Sequence, residues 1–367
     1  MKATRVIAFA NQKGGVGKTT TAVNLAASLA GLIQTVLLID LDPQGNATSA
    51  LGVEKKAGGS VYEALLGDGA LARNIMPTAV PRLDLIPSEP DLAGAEVDIA
   101  RSPRYLHRFK TALEPLLAES RYRYIFIDCP PSLGILTSNA LTAADALIIP
   151  VQCEYLALEG LSMISRLIEQ LRAGGANPGL ALDGIVMTMF DARTRLAAQV
   201  IEEVRAHFGD RLYAAAIPRT VRLSEAPSFG QPITLYDPRG AGAKAYRALA
   251  REFLKRRRAE AGGRTTDTGG RTTEDGGRRT EDGGQTPDNG GWRTDTGGQT
   301  PEAGGQAAET EDRAPEMGGQ SGPPAEPGRV ADAAPGNGTR PPEAGGDRKA
   351  AVGAADSVPP ANPPVPL

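Results

Sequence analysis

Residues 13–20 read KGGVGKTT and combine the residue types that bind phosphate groups. Glycines let backbone N–H groups turn toward phosphate oxygens, and a lysine supplies a cation for them. A threonine hydroxyl directly after that lysine can ligate Mg²⁺. The apolar run VIAFA (6–10) precedes the stretch and a helical pattern follows it, so the order is strand, glycine loop and helix. The stretch therefore predicts a phosphate-binding loop at a helix N-terminus.

The loop departs from the ordinary pattern G-x-x-x-x-G-K-[ST], which would place a glycine where this chain has Gln12. It carries instead a second lysine, Lys13, directly before the glycines. The form K-G-G-x-G-K-[ST] is that of the deviant Walker A ATPases, and the chain resembles the ParA/Soj family of chromosome- and plasmid-partitioning ATPases. In that family two subunits enclose two ATP molecules. The resemblance implies that Lys18 binds the nucleotide of its own chain, whereas Lys13 reaches the nucleotide of a second copy.

Two further stretches, LLIDLDPQGNATSALG (37–52) and YIFIDCPPSLGILTSNAL (124–141), resemble the family's first switch segment and its Walker B strand with the second switch. The resemblance implies ATP and Mg²⁺ as cofactors, and Asp42 as the residue that positions the attacking water. The alternative for Asp40 or Asp42 is a helix or turn cap. The expected Mg²⁺ ligands are Thr19, Asp40 and Asp128, the last through water. The expected catalytic residues are Lys13, Lys18 and Asp42, and the cofactor-binding residues in the loop are Lys13, Gly14, Gly15, Val16, Gly17, Lys18, Thr19 and Thr20.

The segments MTMFDARTRLAAQVIEEV (187–204) and IPRTVRLSEAPSFGQPITLYDP (217–238) extend the resemblance over nearly all of residues 1–255. The second segment is expected near the adenine, through Pro218. It also supplies Arg219 and, with more weight, Arg222 to a surface that binds double-stranded DNA without sequence preference. The alternative for both is an ordinary surface arginine in an ion pair.

Arg193 and Arg195 are weaker DNA candidates, because either could instead form a salt bridge with Glu202 or Glu203 on the next helix. The resemblance as a whole implies an ATPase switch. ATP joins two chains into a homodimer, the dimer binds non-specific DNA, and slow Mg²⁺-dependent hydrolysis releases it. A ParB/Spo0J-like centromere-binding partner is expected to stimulate hydrolysis, so that the cycle segregates a chromosome or a plasmid.

A second possibility is a MinD-like ATPase that works at a membrane surface. The stretch AYRALAREFLKRRRAE (245–260) has an apolar side and four consecutive basic residues, as amphipathic membrane helices do. We favour a helix that packs on the body, with its basic end facing solvent or DNA, and a membrane is not expected as a partner. A third possibility, a metallocluster reductase resembling the nitrogenase iron protein, requires bridging cysteines. Neither Cys129 nor Cys153 lies in such a sequence, and both are expected to be reduced thiols in or near the core.

The elements that position these residues alternate along the chain, with short apolar runs between helical patterns. The predicted strands are 5–10, 35–40, 83–87, 124–128, 146–151, 182–190 and 212–218, and the predicted helices are 19–30, 102–120, 158–173, 196–209 and 245–260. This alternation is typical of βαβ units. It predicts a doubly wound α/β fold with a mainly parallel sheet flanked by helices, which here means a P-loop NTPase. Ligands of such folds bind beyond the carboxyl ends of the strands.

Composition divides the chain into a body, 1–260, and a tail, 261–367. The tail has 10 of the 40 Lys and Arg residues and 17 of the 43 Asp and Glu residues, a net charge of −7, which leaves +4 on the body. Gly-Gly pairs recur there every seven residues with almost no large apolar residues, so the tail is expected to be disordered. No window reaches the ~18 apolar residues of a membrane helix. The protein is therefore expected to be soluble and cytoplasmic.

Overall fold

A computed structural model describes residues 4–67, 69–154 and 157–263 of the chain. The strands of these residues are Arg5–Phe9 (β1), Val36–Asp40 (β2), Met76–Pro77 (β3), Leu83–Ile86 (β4), Tyr124–Asp128 (β5), Ala146–Gln152 (β6) and Ala181–Thr188 (β7). They form one sheet in the order β3-β4-β2-β5-β1-β6-β7. Every neighbouring pair is parallel except β3 with β4. The predicted doubly wound, mainly parallel sheet is confirmed.

Helices connect the strands. The α-helices in the described part of the chain are Lys18–Gly31 (α1), Asn46–Ala50 (α2), Tyr62–Leu66 (α3), Ala95–Ala100 (α4), Arg108–Glu119 (α5), Ile135–Ala143 (α6), Ala157–Ala173 (α7), Arg195–Phe208 (α8), Val221–Glu225 (α9), Ile233–Tyr236 (α10) and Ala241–Gly263 (α11). The 3₁₀ helices are Leu71–Asn74, Pro90–Ala93, Tyr105–His107, Gly209–Arg211 and Ala226–Phe229.

The apolar side chains of each strand divide between the two faces of the sheet, because successive side chains point in opposite directions. In β1, Val6 and Ala8 belong to a cluster with apolar residues of α4 to α8. Ile7 and Phe9 belong to a second cluster with residues of α1 and α11. Helices therefore cover both faces, and the carboxyl ends of the strands stay free to form a site.

One predicted strand, 212–218, is wrong. The segment forms only two isolated bridges, from Leu212 to Ile185 of β7 and from Pro218 to Phe190, which lies just beyond β7. The reason is a competing acceptor on α11, since the carboxylate of Glu252 accepts hydrogen bonds from Ala214 N (2.9 Å) and Ala215 N (3.0 Å). These two donors are therefore not available to extend the sheet.

Helix α11 buries its apolar side against the sheet. Tyr246, Leu249 and Phe253 are at most 1% exposed, which confirms that this helix packs on the body. The expectation that its whole basic end faces outward is wrong for Arg257, whose guanidinium is buried and pairs with the buried Asp183 carboxylate. A buried charge of this kind requires a partner, and the ion pair provides it. The apolar side of α11 is thus part of the core.

The predicted acidic, disordered tail lies outside the described residues, apart from the last turn of α11. Among the described residues, no helix combines the length and the apolar character that a membrane crossing requires.

Candidate nucleotide site

The loop between β1 and α1 has the backbone shape of an anion cradle. Gly15 and Gly17 have φ angles of 75° and 85°, in the left-handed region that favours glycine. Gly17 precedes α1 without a side-chain cap, and no acidic residue lies in the first helical turn. The first N–H groups of α1 therefore have no side-chain acceptor, and an anion is the group that satisfies them.

A cavity of about 380 Å³ lies against this loop. Its wall on the loop side consists of Gly14, Gly15, Gly17, Lys18, Thr19 and Thr20. Lys18 is only 6% exposed. Burial lowers the pKa of its ammonium group, while the nearby Asp128 and Asp42 carboxylates oppose this shift. The cavity thus combines a buried cation with unfilled backbone donors, as a phosphate site requires.

The opposite wall comes from segments that follow β2, β5 and β7 and from residues 226–232. These residues are Asp42, Asn46, Ser49, Ala50, Pro131, Met189, Ala226, Pro227, Gln231 and Pro232. The predicted adenine contact, Pro218, bridges to Phe190 and is not among the residues that line the cavity. The prolines that do line it, Pro227 and Pro232, lie in the same predicted segment. The sequence analysis did not single out Met189 and Asn46. Both follow the carboxyl ends of strands, where ligands of such folds bind, and that position is the signal that could have identified them.

Asp128 ends β5 and is completely buried, and neither of its carboxylate oxygens accepts a hydrogen bond among the described residues. Burial raises the pKa of Asp128 well above its ordinary value, and the neighbouring Asp40 raises it further. The nearby Thr19 hydroxyl and the Lys18 ammonium act in the opposite direction. A buried carboxylate without partners is costly, and a hard divalent cation satisfies such oxygens. Asp128 and Thr19 therefore fit Mg²⁺ at this end of the cavity.

Asp40 lies beside Asp128 on the adjacent strand, at the same register position, but its oxygens have partners. Oδ2 accepts hydrogen bonds from Thr48 N (2.8 Å) and Thr48 Oγ1 (2.7 Å), and Oδ1 accepts one from Asp42 N (3.3 Å). Burial raises the pKa of Asp40 to about 6, against the effect of these hydrogen bonds. Asp40 thus anchors the segment after β2, and its role as a Mg²⁺ ligand stays a prediction.

Asp42 lines the cavity and also organises the turn that follows it. Its Oδ1 accepts a hydrogen bond from Gln44 N (3.0 Å), so the turn-cap interpretation holds for this residue. Its carbonyl oxygen accepts from Gly45 N (2.8 Å) and Ser88 Oγ (2.6 Å). These contacts fix the backbone of Asp42 at the cavity wall.

The side chain of Lys13 has different surroundings from that of Lys18. Its Nζ lies 2.7 Å from Glu154 Oε2, beyond the end of β6, and its side chain is 41% exposed. Asn11 holds this part of the loop, because its Oδ1 accepts from Lys13 N (3.1 Å) and its Nδ2 donates to Pro150 O (2.8 Å). Lys13 is not among the residues that line the cavity. The loop therefore presents one lysine inward and one at the surface.

Arg222, the stronger DNA candidate, is exposed on α9. Its Nη1 lies 3.1 Å from Glu225 Oε2, and its guanidinium group lies 5.9 Å from the centre of the Tyr236 ring. Both partners are exposed or half-buried, so the ion pair is weak and can be exchanged for a phosphate. Arg222 therefore forms the surface ion pair of the alternative interpretation. This ion pair does not exclude a role in DNA binding.

Arg219 is exposed near Asp191. The pKa of Asp191 is lowered to about 2, chiefly by hydrogen bonds from Arg193 and in part by the charge of Arg219. Arg193 therefore pairs with Asp191, so the alternative of a salt bridge with Glu202 or Glu203 does not hold for this residue. Glu202 pairs with Arg205 of its own helix.

Both cysteines are free and buried, as predicted. Burial raises the pKa of Cys153 to about 11 and that of Cys129 further, so both are thiols at neutral pH. Cys129 follows Asp128, and its backbone N donates to Phe9 O (3.1 Å). This hydrogen bond helps to join β5 to β1 beside the phosphate loop.

The fold and the site define a P-loop nucleotide-binding protein. A family profile described as an AAA domain matches residues 4–182. The chromosome partitioning protein ParA of Caulobacter vibrioides is 51% identical over 255 residues, which cover 69% of this chain and 95% of the relative. The sporulation initiation inhibitor protein Soj of Bacillus subtilis is 53% identical over 249 residues, covering 68% and 97%. The chain belongs to the ParA/Soj family of chromosome-partitioning ATPases.

A solved structure supports the same class. Cobyrinic acid a,c-diamide synthase from Mycobacterium smegmatis, with bound ADP and magnesium, matches with a TM-score of 0.61 and 38% sequence identity. The match covers 70% of this chain and 96% of that protein.

Proposed function

We propose that this chain is a nucleotide-operated switch for DNA segregation. ATP with Mg²⁺ joins two copies into a homodimer, the dimer binds double-stranded DNA without sequence preference, and slow hydrolysis releases it. A ParB/Spo0J-like partner stimulates the hydrolysis, and the cycle takes place in the cytoplasm, on the nucleoid. Membership of the ParA/Soj family supports this proposal, as does the geometry of the two lysines.

The position of Lys13 is the observation that carries the proposal. Lys18 already supplies a buried cation to the cavity of its own chain, whereas Lys13 lies at the surface beside the same loop. A preorganised cation is most effective where charge develops on transferring phosphate oxygens in a site closed to water. A second copy facing the loop closes such a site, and its Lys13 then meets the phosphates bound by the first chain.

The other residues have separable roles in this proposal. Bound Mg²⁺ supplies positive charge to the phosphate oxygens, and Asp128 with Thr19 holds it. Lys18 binds the phosphates of its own nucleotide, and the loop N–H groups orient them. Asp42 accepts a hydrogen bond from the attacking water and aligns it.

Two lysine variants test the division of labour. Lys18→Ala should weaken ATP binding on the order of 100-fold, since a buried charge-assisted contact is lost. Lys13→Ala should change the ATP affinity of the single chain by less than about threefold, because Lys13 does not line the cavity, yet abolish ATP-driven dimers. Titration with a fluorescent ATP analogue and sedimentation velocity measure the two quantities. Lys56→Ala, at an exposed lysine outside the site, is the matched control.

Gly14→Val provides a second route to the same result. A Cβ at Gly14 would have no atom within 4 Å in its own chain, so the variant should fold, and its ATP affinity is measured in the same titration. It should fail to dimerise if the face of the loop meets a second copy. Equal losses of binding and dimerisation in Lys13→Ala and Lys18→Ala, or normal dimers of Gly14→Val, contradict the proposal.

DNA retention tests the arginine surface. Arg222→Glu reverses a charge in both copies of the dimer, so ATP-dependent retention on non-specific DNA should fall roughly tenfold or more at low salt. Arg101→Glu makes the same charge change at an exposed position that ends α4, on the other side of the sheet, and should leave retention unchanged. Undiminished retention by Arg222→Glu refutes this surface. Retention that does not depend on ATP in the unaltered protein refutes the switch itself.

A further inference from the structure

Two glycines from distant parts of the chain, Gly52 and Gly230, contact each other through bare backbone. Both are in the left-handed region, with φ angles of 68° and 62°. A Cβ added at Gly230 would lie 2.6 Å from Gly52 Cα, and a Cβ added at Gly52 would lie 3.0 Å from Gly230 O. A side chain at either position would push two backbone segments apart, so this close contact requires both glycines.

On one side, the contact is linked by hydrogen bonds to Asp42. Gly52 N donates to Ser49 O (3.0 Å), and Ser49 donates to Gly45 O from both its N and its Oγ (3.1 Å each). Gly45 N in turn donates to Asp42 O (2.8 Å). We call residues 42–52, which include α2, the aspartate arm.

On the other side, the contact is linked to Arg222. Gly230 N donates to Pro227 O (3.0 Å) and to Ala226 O, and Ala226 N, directly after α9, donates to the carbonyl oxygen of Arg222 within that helix. We call residues 222–230 the arginine arm. Short-range backbone bonds of this kind make each arm a stiff unit.

Both arms also line the nucleotide cavity. Ser49 and Ala50 belong to the aspartate arm, and Ala226 and Pro227 belong to the arginine arm. A molecule that fills the cavity therefore touches both arms, and they meet where neither has a side chain that could adjust. If one arm moves, the other must therefore move with it, because packed backbone segments have few intermediate arrangements.

We propose that the Gly52–Gly230 contact is a positioning element that makes the aspartate arm and the arginine arm respond together when a nucleotide occupies the cavity. This deepens the proposed function, because the arginine arm carries the DNA candidate Arg222. The prediction for the arms themselves concerns nucleotide alone and does not require DNA.

Hydrogen exchange of the backbone amides tests the proposal without DNA. In the unaltered full-length chain, saturating Mg²⁺ and ATP should slow exchange in the arginine arm, residues 222–230, about fivefold. In Gly230→Ala, measured at its own saturating ATP concentration, the slowing should fall below about twofold. Gly175→Ala is the matched control, since Gly175 also has a positive φ (73°) but a Cβ there would meet nothing within 4 Å. The control should keep the full response despite the same kind of backbone strain.

Gly52→Ala is a milder variant of the same contact, because its Cβ approaches a carbonyl oxygen at 3.0 Å instead of a Cα at 2.6 Å. It should also reduce the response, and the Gly52→Ala/Gly230→Ala double variant should lose no more than Gly230→Ala does. Thermal melting tests whether each variant is folded. If Gly230→Ala does not fold, the exchange response of Gly52→Ala tests the proposal instead.

Several results would overturn the proposal. These are an unchanged response in Gly52→Ala, an equal loss in Gly175→Ala, or no slowing in the unaltered chain at saturating ATP. Failure of the proposed function looks different. If hydrogen exchange responds to ATP as expected but the chain does not retain DNA with any nucleotide, the DNA switch is refuted. The coupling between the arms is then still supported.

Discussion

Thr48 provides a quantitative test of how the site is anchored. Its hydroxyl is completely buried, donates to Asp40 Oδ2 at 2.7 Å and accepts from Ser88 N at 2.9 Å. Thr48→Val keeps the size and shape of the side chain but removes both hydrogen bonds. The bond from Thr48 N to Asp40 stays in place, so the variant isolates the contribution of the hydroxyl group.

The cost follows from the two lost bonds. A hydrogen bond to a charged group contributes about 1.5–3 kcal/mol, and a buried donor left without an acceptor, here Ser88 N, costs about 1–3 kcal/mol. Because the two effects share one group and do not add fully, we expect a loss of about 2–4 kcal/mol in the free energy of unfolding. For a domain of this size that corresponds to a fall in Tm of roughly 5–15 °C.

The control is Thr48→Ser, which keeps the hydroxyl and loses only one buried methyl group, at a cost of about 1 kcal/mol. Thermal and urea denaturation without nucleotide, in the presence of a chelator, give both values. If Thr48→Val is no less stable than Thr48→Ser, the hydroxyl does not anchor Asp40, and our explanation of why Asp40 differs from Asp128 is refuted.

Three further predictions concern buried charges. Ionisation of Asp40 should lower the stability of the nucleotide-free protein by roughly 2–3 kcal/mol between pH 4 and 7, because burial raises the pKa of Asp40 to about 6 while in the unfolded chain it ionises near 3.8. This contribution is the difference between the pH slopes of the unaltered protein and Asp40→Asn, measured from denaturation midpoints at each pH, and equal slopes contradict it. Asp128→Asn should stabilise the nucleotide-free protein, since it removes a charge beside Asp40, and should make nucleotide binding insensitive to Mg²⁺ in titrations with and without the metal. Tyr213→Phe should cost about 1.5–3 kcal/mol in urea denaturation by removing a buried bond to Asp183, whereas Tyr62→Phe, whose bond to Asp98 is exposed, should cost much less.

The phosphate loop and the order of most elements could be predicted because their signals are local. KGGVGKTT combines its glycines and lysines within eight residues, and the strands are short apolar runs with clear ends. Parallel strands place their carboxyl ends at one edge of the sheet, which brought Asp40 and Asp128 together as expected. The same rule applies to the segments after β2 and β7, which form part of the cavity wall.

The remaining features depend on contacts between residues far apart in sequence, for which no local pattern exists. The pairing of Lys13 with Glu154 and of Arg257 with Asp183 belongs to this class. So does the failure of 212–218 to form a strand, since its propensity was overridden by the carboxylate of Glu252 on α11. The contact of Gly52 with Gly230 likewise becomes visible only in three dimensions.

The contrast between Asp40 and Asp128 explains why the site needs its ligand. The two carboxylates lie side by side on adjacent strands and are both buried, and the charge of Asp40 makes ionisation of Asp128 less favourable. Thr48 and the backbone of Asp42 satisfy Asp40 from within the chain, but Asp128 has no such partner. A divalent cation that approaches with the nucleotide phosphates relieves both the unsatisfied oxygens and the repulsion between the pair. The chain therefore leaves Asp128, and not Asp40, as the carboxyl whose oxygens a cation can satisfy, directly beside the arm that carries Asp42.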